Sequence, residues 1–408
     1  MKCRSCHSPV DLVFIDLGSS PPSNAYLSAS DLNKPERWYP LRVLVCTNCW
    51  LVQTEDFARR GELFSSDYAY FSSYSSTWLE HSKRYAREIT ARLGLNESSR
   101  VVEVASNDGY LLQYFKQSGI PCLGVEPTAS TADAAKGKGI EVIKEFFGTD
   151  LASRLVKDGK AADLMVANNV LAHVPDINDF VSGFSRLLKP NGVATFEFPH
   201  LLNLVAQTEF DTVYHEHFSY LSVTALLPVF ERHGLSVFDV QELPTHGGSI
   251  RVFVQKAETG SQTRSESVSD LIERERDAGV MNPNYYGAFQ AKAERVKNDF
   301  LRFLLSAKAQ GKSVAGYGAA AKANTLMNFA GVRPDLVKFI VDRNPSKQSK
   351  FMPGTRVPIV QESILQDEKP DYVVLFPWNL RTELATQLAY VSEWKGRLVV
   401  AVPELEIL

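Results

Sequence analysis

The chain has 408 residues, of which 22% are charged and 44% hydrophobic, and its formal net charge is -3. This length exceeds one ordinary core and predicts two or three domains, and the near-neutral charge gives no general attraction for nucleic acid or an anionic membrane. The N-terminal stretch MKCRSCHSPV lacks the apolar core of a signal peptide, and no later run of about 20 apolar residues could span a bilayer, so we expect a cytoplasmic protein.

The first module contains four of the five cysteines, arranged in two pairs. Cys3 and Cys6 form one C-x-x-C motif, and Cys46 and Cys49 form a second. A reducing cytosol disfavours structural disulfides, whereas two such motifs supply four thiolates for a tetrahedral zinc ion. The alternatives are a chance occurrence or one redox-active pair. We predict a closed, structural zinc site, because four thiolates leave no position for a reactive water.

Residues 1–60 are typical of a zinc ribbon with short strands, and helical spacing over 77–93 leads into the next section. From residue 101 strands and helices alternate, which predicts a parallel sheet covered by helices. The predicted strands of this sheet are 101–104, 122–126, 141–146, 163–168 and 193–198, with two more around 236–240 and 249–255.

A polar stretch at 257–268 predicts a linker or loop, and a long amphipathic helix is predicted over about 284–310. Strands and helices then alternate again in a second, smaller α/β unit. Its predicted strands are 313–318, 338–342, 371–376 and 397–402. The chain therefore carries two sheets of the nucleotide-binding type.

The first strand of the larger sheet, VVEV, runs into the turn ASNDG before a helix. At the carboxyl end of a strand, such a turn lets a ligand approach the backbone and the helix N-terminus. The segment resembles motif I of class I S-adenosylmethionine (SAM) methyltransferases, although Ala105 stands where many of them carry glycine. The resemblance implies that Glu103 faces the ammonium group of SAM, that Glu126 binds the ribose and that Asn168 contacts the methionine part. The SAM-binding residues predicted in this way are Glu103, Ser106, Asn107, Asp108, Gly109, Glu126 and Asn168.

Several segments follow one another in an order that is more specific than the SAM motif. They are the doubled C-x-x-C, EVASNDGYLLQ, GVEP, NNVLAHVPD, FEFPH, YHEHFSYLS, HGGSIRV and GYGAAAKANTLMN. Together they cover essentially the whole chain, which resembles the nucleotide-sugar C-methyltransferases that make branched deoxysugars. The resemblance implies a zinc module, a class I SAM methyltransferase Rossmann-like sheet and a C-terminal Rossmann-like domain. It also implies methyl transfer to C3 of a nucleotide-linked 4-keto-deoxysugar.

Such a reaction needs a base that removes a proton from the carbon beside a ketone, and a donor for the enolate oxygen. Histidine suits the role of base, since its ordinary pKa is about 6.5. The stretch YHEHFSY contains the EH pair that the family carries, so His217 is predicted as the base, assisted by Glu216 and Tyr214. A metal site here is disfavoured, because histidines at i and i+2 cannot reach one ion from the same face. We therefore expect His215 in solvent or in a supporting position.

Further residues are predicted around the substrate. The resemblance places Tyr68 over the sugar, and His173 follows the fourth strand, where methyltransferases place residues near the reacting methyl. The alternatives are a packing aromatic and a loop histidine that caps a helix. The turn His246-Gly247-Gly248 offers backbone amides to a sugar hydroxyl or phosphate, with a plain hairpin turn as the alternative.

A second glycine turn, GYGAAA at 316–321, follows a strand and precedes a helix, and Asp342 ends the next strand. This pattern also fits an NAD-dependent oxidoreductase of a nucleotide sugar. Lys322 at the start of the helix suits a sugar-nucleotide diphosphate equally well, so NAD is not assigned, and a purely structural turn is the third alternative.

A zinc-ribbon methyltransferase that acts on RNA or protein is a rival from another class. The N-terminal module shows no basic stripe, so we expect no nucleic-acid partner. The predicted division of the chain is a zinc-binding domain at 1–75, a SAM-binding domain at 76–260 and a C-terminal Rossmann-like domain at 261–408. We expect a monomer or weak oligomer.

Overall fold

The computed structural model describes residues 1–57 and 71–408. Within these ranges the chain forms three β-sheets, two of which are mixed sheets with a parallel core and one of which is antiparallel. The α/β class predicted from the alternation of strands and helices is confirmed. No helix in the described residues is long and apolar enough to cross a membrane.

The antiparallel sheet has four strands in the order β1-β2-β3-β9. These strands are β1 (Leu12–Ser20), β2 (Tyr39–Val45), β3 (Val52–Thr54) and β9 (Ser219–Tyr220). The short strand β9 directly follows the HEHF segment and pairs with β3, with Val52 opposite Tyr220 and Gln53 opposite Ser219. The sheet of the cysteine module is therefore completed by the segment that carries the candidate catalytic histidine.

The central sheet has seven strands in the order β10-β11-β8-β7-β4-β5-β6, in which β8, β7, β4, β5 and β6 run parallel. Its strands are β4 (Val101–Val104), β5 (Cys122–Val125), β6 (Glu141–Ile143), β7 (Ala162–Asn168), β8 (Leu188–Pro199), β10 (Leu235–Leu243) and β11 (Ser249–Lys256). The inner strands are nearly all apolar and fully buried, as expected for strands covered by helices on both faces. The carboxyl ends of β4, β5 and β7 meet at one edge and position the candidate cofactor site.

The helices of the first half of the chain are α1 (Ser76–Leu93), α2 (Leu112–Gln117), α3 (Ala129–Gly137), α4 (Thr149–Lys157), α5 (Ile177–Leu187), α6 (Leu201–Ala206) and α7 (Val223–Arg232). The first of them shows how the sequence sets the bounds. The Ser75 hydroxyl accepts the Trp78 N–H at the N-terminus, and Gly94 ends the helix in the left-handed conformation at φ 63°. Its buried face, with Tyr85 and Ile89 four residues apart, packs on the sheet.

The third sheet has six strands in the order β14-β13-β12-β15-β16-β17. These strands are β12 (Val314–Tyr317), β13 (Ile340–Val341), β14 (Ile359–Val360), β15 (Tyr372–Leu375), β16 (Arg397–Val400) and β17 (Glu406–Ile407). The accompanying helices are α8 (Glu266–Ala278), α9 (Pro283–Gly287), α10 (Phe289–Ala309), α11 (Ala321–Phe329), α12 (Ser363–Glu368) and α13 (Arg381–Gln387). The single long helix predicted over 284–310 is thus two helices.

The stretch predicted as a linker or loop ends within α8. Ser265 caps this helix by accepting the Ser267 N–H, and the buried Glu275 accepts hydrogen bonds from the Val223 and Thr224 N–H groups at the start of α7. Polar composition hid the helix because much of its surface faces solvent.

The N-terminal segment between β1 and β2 packs against the third sheet. Leu27 bridges Phe351, the Arg356 guanidinium donates to the Leu32 carbonyl, and the Tyr26 hydroxyl donates to the Ala319 carbonyl. One continuous core contains residues of the antiparallel sheet and of the third sheet, including Phe14 stacked on Phe289 at 4.4 Å. A second core packs residues of the N-terminal module, such as Leu44, with the central sheet, so the N-terminal module packs against both other sheets.

Candidate active site

The four paired cysteines converge at the end of the antiparallel sheet. Their Sγ atoms all lie within 4.8 Å of one another, and the Cys3–Cys49 and Cys6–Cys46 pairs are each 3.5 Å apart. Zinc at about 2.3 Å from each sulfur requires sulfur–sulfur separations of roughly 3.8 Å, so the donor set fits a tetrahedral zinc ion. The arrangement has four protein ligands and is a structural site by its chemistry.

The first glycine turn leaves β4 in an unusual backbone conformation. Ala105, Asn107 and Gly109 have φ of 56°, 49° and 76°, all in the left-handed region. For Ala105 this conformation costs about 1 kcal/mol, a cost that glycine would avoid. A Cβ on Gly109 would overlap Ile140, so glycine is required for close packing as well as for φ.

Glu103 lies fully buried at the centre of the parallel strands. Neither of its carboxylate oxygens has a hydrogen-bond partner among the described residues, although the Tyr110 hydroxyl is close enough to lower its pKa. Burial dominates and raises the pKa of Glu103 well above its usual value. A buried acceptor without a donor fits the ammonium group of a ligand such as SAM.

The remaining predicted cofactor residues surround the same strand ends. Glu126 accepts the Asn107 N–H at 3.0 Å and the Thr128 N–H at 2.8 Å, so it also fixes the turn. The Ser106 hydroxyl and Asn168 Oδ1 are buried without partners in the described part of the chain. The Asp108 carboxylate accepts the Ser73 N–H and lies 3.6 Å from Lys138.

His217 is held by two hydrogen bonds. Its Nδ1 lies 2.9 Å from the Thr212 carbonyl oxygen, which can only accept, so Nδ1 carries the proton. Its Nε2 therefore presents a lone pair, and the Tyr214 hydroxyl donates to it at 2.7 Å. Burial, with a further contribution from His173, lowers the pKa of His217 well below its ordinary value. The imidazole is neutral, oriented and basic at Nε2.

The neighbours of His217 in sequence point elsewhere. Glu216 is fully buried, and its Oε1 accepts the backbone and side-chain N–H groups of Asn24 at 3.3 and 3.2 Å. Burial raises the pKa of Glu216. His215 is buried at 5% exposure, with Nε2 near the carbonyl oxygens of Tyr39 and Pro40. The expectation that His215 lies in solvent is wrong. Its ring packs against the antiparallel sheet, so His215 is in the supporting position that was the other expectation.

His173 approaches the same pair from the end of β7. Its Nδ1–H donates to the Glu216 carbonyl at 2.8 Å, and its ring lies edge-on to His217 with centroids 4.6 Å apart. Burial lowers the pKa of His173 to about 4, so it is neutral near pH 7. Tyr68, the other residue predicted over the sugar, lies outside the described residues.

The predicted HGG turn lies beside a lysine from the third sheet. His246, Gly247 and Gly248 all have positive φ, and a Cβ on Gly247 would overlap Glu209 and Trp378. Burial, followed by the charge of Lys322, lowers the pKa of His246 to about 4. The turn is thus packed between the central sheet and the region of residue 378.

Lys322 reaches into this junction from the start of α11. Its ammonium donates to Asn379 Oδ1 at 3.1 Å and lies 4.0 Å from the centroid of the Trp378 ring. Burial lowers the pKa of Lys322, while Asp211 and Glu209 raise it. The structure therefore brings Lys322, His246 and His217 into one electrostatic environment, since Lys322 also lowers the pKa of His217.

Comparison with known proteins identifies the chain. Family models match three consecutive parts of it: a zinc binding domain at 3–64, a methyltransferase domain at 78–240 and a C-methyltransferase C-terminal domain at 244–403. The chain is 33% identical over 407 residues to the C-methyltransferase NovU of Streptomyces niveus. The aligned region covers 100% of this chain and 96% of NovU. The chain belongs to this C-methyltransferase family.

Other matches are limited to the methyltransferase part. A ubiquinone biosynthesis O-methyltransferase of Rhodopseudomonas palustris strain TIE-1 is 26% identical over 114 residues, which are 27% of this chain and 42% of that protein. The SAM-bound magnesium protoporphyrin IX methyltransferase of Synechocystis has 13% identity and a TM-score of 0.32, over 43% of this chain and 79% of that one.

This C-methyltransferase is SAM-dependent, and the predicted four-cysteine zinc site is confirmed. The rival assignment to an NAD-dependent oxidoreductase is therefore wrong. The contacts of the second glycine turn explain why its sequence resembles a dinucleotide-binding motif. Asp342 accepts the Ala319 N–H at 2.9 Å and pairs with Lys347 at 3.2 Å, and a Cβ on Gly318 would overlap Pro377. The acid is already bonded to the turn itself, and the glycine permits close packing.

Sequence reasoning missed a buried ionic group of the C-methyltransferase. Glu197, fully buried at the end of β8, accepts hydrogen bonds from Arg251 at 2.5 Å and from His81 Nε2 at 2.9 Å. The Arg251 charge and the His81 hydrogen bond lower the pKa of Glu197 against the effect of burial. The sequence does contain one signal for this buried group, since Glu197 is an acid within the apolar run FEFPH. Asn24, Glu209 and Asp211, also missed, lie in loops whose composition carries no such signal.

Proposed function

We propose that this C-methyltransferase transfers the methyl group of SAM to C3 of a nucleotide-linked 4-keto-deoxysugar through an enolate. The observation that carries the proposal is the Tyr214–His217 pair, a neutral imidazole lone pair bonded to a phenol in a largely buried setting. A neutral imidazole of this kind can remove a proton from the carbon beside a ketone, so the enzyme itself supplies the base that forms the enolate.

The chain's own groups divide the work as follows. His217 accepts the C3 proton at Nε2, directly or through the Tyr214 hydroxyl that already occupies this lone pair. The Thr212 carbonyl stabilises the imidazolium that forms, since it accepts the Nδ1–H throughout. The turn around His246 supplies backbone N–H donors for the oxygen of the enolate, because the single Tyr214 hydroxyl hydrogen is bonded to His217. Bound SAM supplies the methyl group, and its neutral thioether is the leaving group.

His173 and Glu216 support this arrangement. The Glu216 carbonyl fixes the tautomer of His173, whose Nε2 therefore carries a lone pair. The Glu216 carboxylate holds Asn24 and so joins the N-terminal segment to the site. Tyr68 stays a predicted lining residue on the resemblance alone.

The cofactor residues fit SAM by their unsatisfied chemistry. Glu103 offers a carboxylate without partners among the described residues to the ammonium group, and the turn from Ser106 to Gly109 lies beside it. We assign the ribose hydroxyls to Glu126, which follows the neighbouring strand, and the methionine part to Asn168, as the resemblance implies.

Product identity tests the proposal. Incubation with SAM labelled by ¹³C in its methyl group and dTDP-4-keto-6-deoxyglucose should give a nucleotide sugar with a carbon-bound label, visible by NMR. The Glu103→Gln variant should show a KM for SAM that is roughly 10- to 100-fold higher, because a charge-assisted contact is lost. The control variant Glu258→Gln, at an exposed position, should leave this KM unchanged. A label bound to oxygen, or no transfer to any 4-keto-deoxysugar of a panel, would contradict the proposal.

A further inference from the structure

Two acids and one lysine meet where the central sheet, the HGG turn and the third sheet come together. Glu209 precedes the short turn Phe210–Thr212 and Asp211 is its middle residue, shortly before the Tyr214–His217 pair, and each acid is only 1% exposed. Lys322 and Trp378 reach them from the third sheet. We call Glu209, Asp211 and Lys322 the junction triad.

The hydrogen bonds of the junction triad are incomplete. Asp211 Oδ2 accepts the Trp378 indole N–H at 2.8 Å, but its Oδ1 has no partner among the described residues. Glu209 Oε1 is likewise buried and without a partner in the described ranges, and it lies against Gly247. The Lys322 ammonium, which has three N–H donors, makes its described side-chain hydrogen bond to Asn379. Two buried acceptors and a half-buried cation therefore have unused bonding capacity among the described residues.

Burial of a carboxylate oxygen without a donor is unfavourable, and burial raises the pKa of Glu209 to about 7 and that of Asp211 to about 6, although Lys322 lowers both. The indole bond of Trp378 uses Oδ2 of Asp211, which leaves Asp211 Oδ1 and Glu209 Oε1 without a partner among the described residues. These two unpaired oxygens therefore suit hydrogen-bond donors that a ligand supplies.

We propose that the junction triad is a subsite for a hydrogen-bond donor on the ring of the methyl acceptor, either a hydroxyl or an amine. This inference rests on the proposed sugar substrate and names the residues that read its substituents. Glu209 Oε1 and Asp211 Oδ1 accept from the donor, and Lys322 donates to its lone pair when the donor is a hydroxyl. The position close to His217 places the substituent near the carbon that is deprotonated.

The same charges argue against one role considered for Lys322. A phosphate beside Lys322 would also come near Glu209 and Asp211, which interact electrostatically with Lys322, and like charges repel one another in a buried setting. The diphosphate of a nucleotide sugar therefore lies elsewhere, and Lys322 addresses the sugar ring.

Four dTDP-linked probes test the subsite: dTDP-4-keto-6-deoxyglucose, its 3-amino counterpart, the analogue that lacks the C2 hydroxyl and the analogue that lacks the C3 hydroxyl. Wild-type protein should prefer a donor-bearing probe over the matching deoxy analogue by about 10- to 100-fold in kcat/KM. Glu209→Gln and Asp211→Asn should reduce this preference to less than about threefold, mainly through KM. Glu258→Gln, on an exposed loop, is the matched control and should keep the full preference.

The outcomes separate the two proposals. A greater preference for the amine than for the hydroxyl identifies the amine as the group that is read. If the wild-type protein methylates the sugars but both variants lose the same factor on every probe, the triad is structural and the subsite is overturned. If the wild-type protein methylates none of the probes on carbon, the proposed function itself falls.

Discussion

Replacing His217 with asparagine should lower kcat for methyl transfer by about 100- to 10,000-fold, the contribution usual for a positioned general base. Asparagine offers an amide N–H in place of Nδ1–H but no basic lone pair in place of Nε2. Because His217 bonds Thr212 and Tyr214 rather than a predicted SAM-binding residue, binding of S-adenosylhomocysteine should be unchanged. Steady-state kinetics and calorimetry measure the two quantities separately.

The pH profile gives an independent reading of the same residue. Burial lowers the pKa of His217 well below 6.5, so the imidazole is neutral above that pH and becomes protonated only in more acidic solution. The acidic limb of kcat/KM should therefore lie below pH 6.5. His233→Asn, which removes a histidine bonded to Asn178 away from the site, is the control. Near-full activity of His217→Asn would remove this residue from the role of base.

Loss of the zinc ion should abolish most of the activity as well as destabilise the N-terminal sheet. Structural zinc typically contributes about 10–16 kcal/mol to the folding of small metal domains. The double change Cys46→Ser and Cys49→Ser should eliminate the single zinc per chain in metal analysis, lower the melting temperature and lower kcat. Cys122→Ser, at a cysteine outside the cluster, should keep all three.

We expect β3 to connect the zinc site with His217. The Gln53 amide donates to Cys3 Sγ at 3.3 Å, and the next residue, Thr54, donates its hydroxyl to the His217 carbonyl at 2.6 Å. Thr54→Val should therefore retain zinc and secondary structure yet lower kcat by roughly 2- to 10-fold, the value of one hydrogen bond. A zinc-free protein with full activity, or a fully active Thr54→Val variant, would contradict this coupling.

The sequence predicted those features that depend on local pattern. Apolar runs and turns marked the strands around Val101 and Val314, and the two C-x-x-C motifs marked the zinc ligands, because spacing along the chain decides both. The start of the helix from Glu266 to Ala278 was predicted as a linker. Glu275 is buried against α7, but in the sequence it cannot be distinguished from a surface acid.

Features that depend on distant pairing could not be predicted. The strand β9 has two residues and pairs with β3, and two residues are too few to show an alternating pattern in the sequence. The junction triad unites Glu209 and Asp211 with Lys322, more than a hundred positions later in the chain, and this proximity exists only after the third sheet packs on the central one. The division at residues 75 and 260 stays a prediction, while the shared core and β9 show why such boundaries are hard to place.

Deprotonation of carbon beside the ketone is the central step of the proposed mechanism, and hydrogen exchange tests it most directly. The enzyme is incubated in D₂O with S-adenosylhomocysteine and dTDP-4-keto-6-deoxyglucose, and the sugar is analysed by mass spectrometry and proton NMR. Wild-type protein should introduce one deuterium at C3, and His217→Asn should not. Absence of exchange with a wild-type preparation that methylates the same sugar, or full exchange by His217→Asn, would contradict the account.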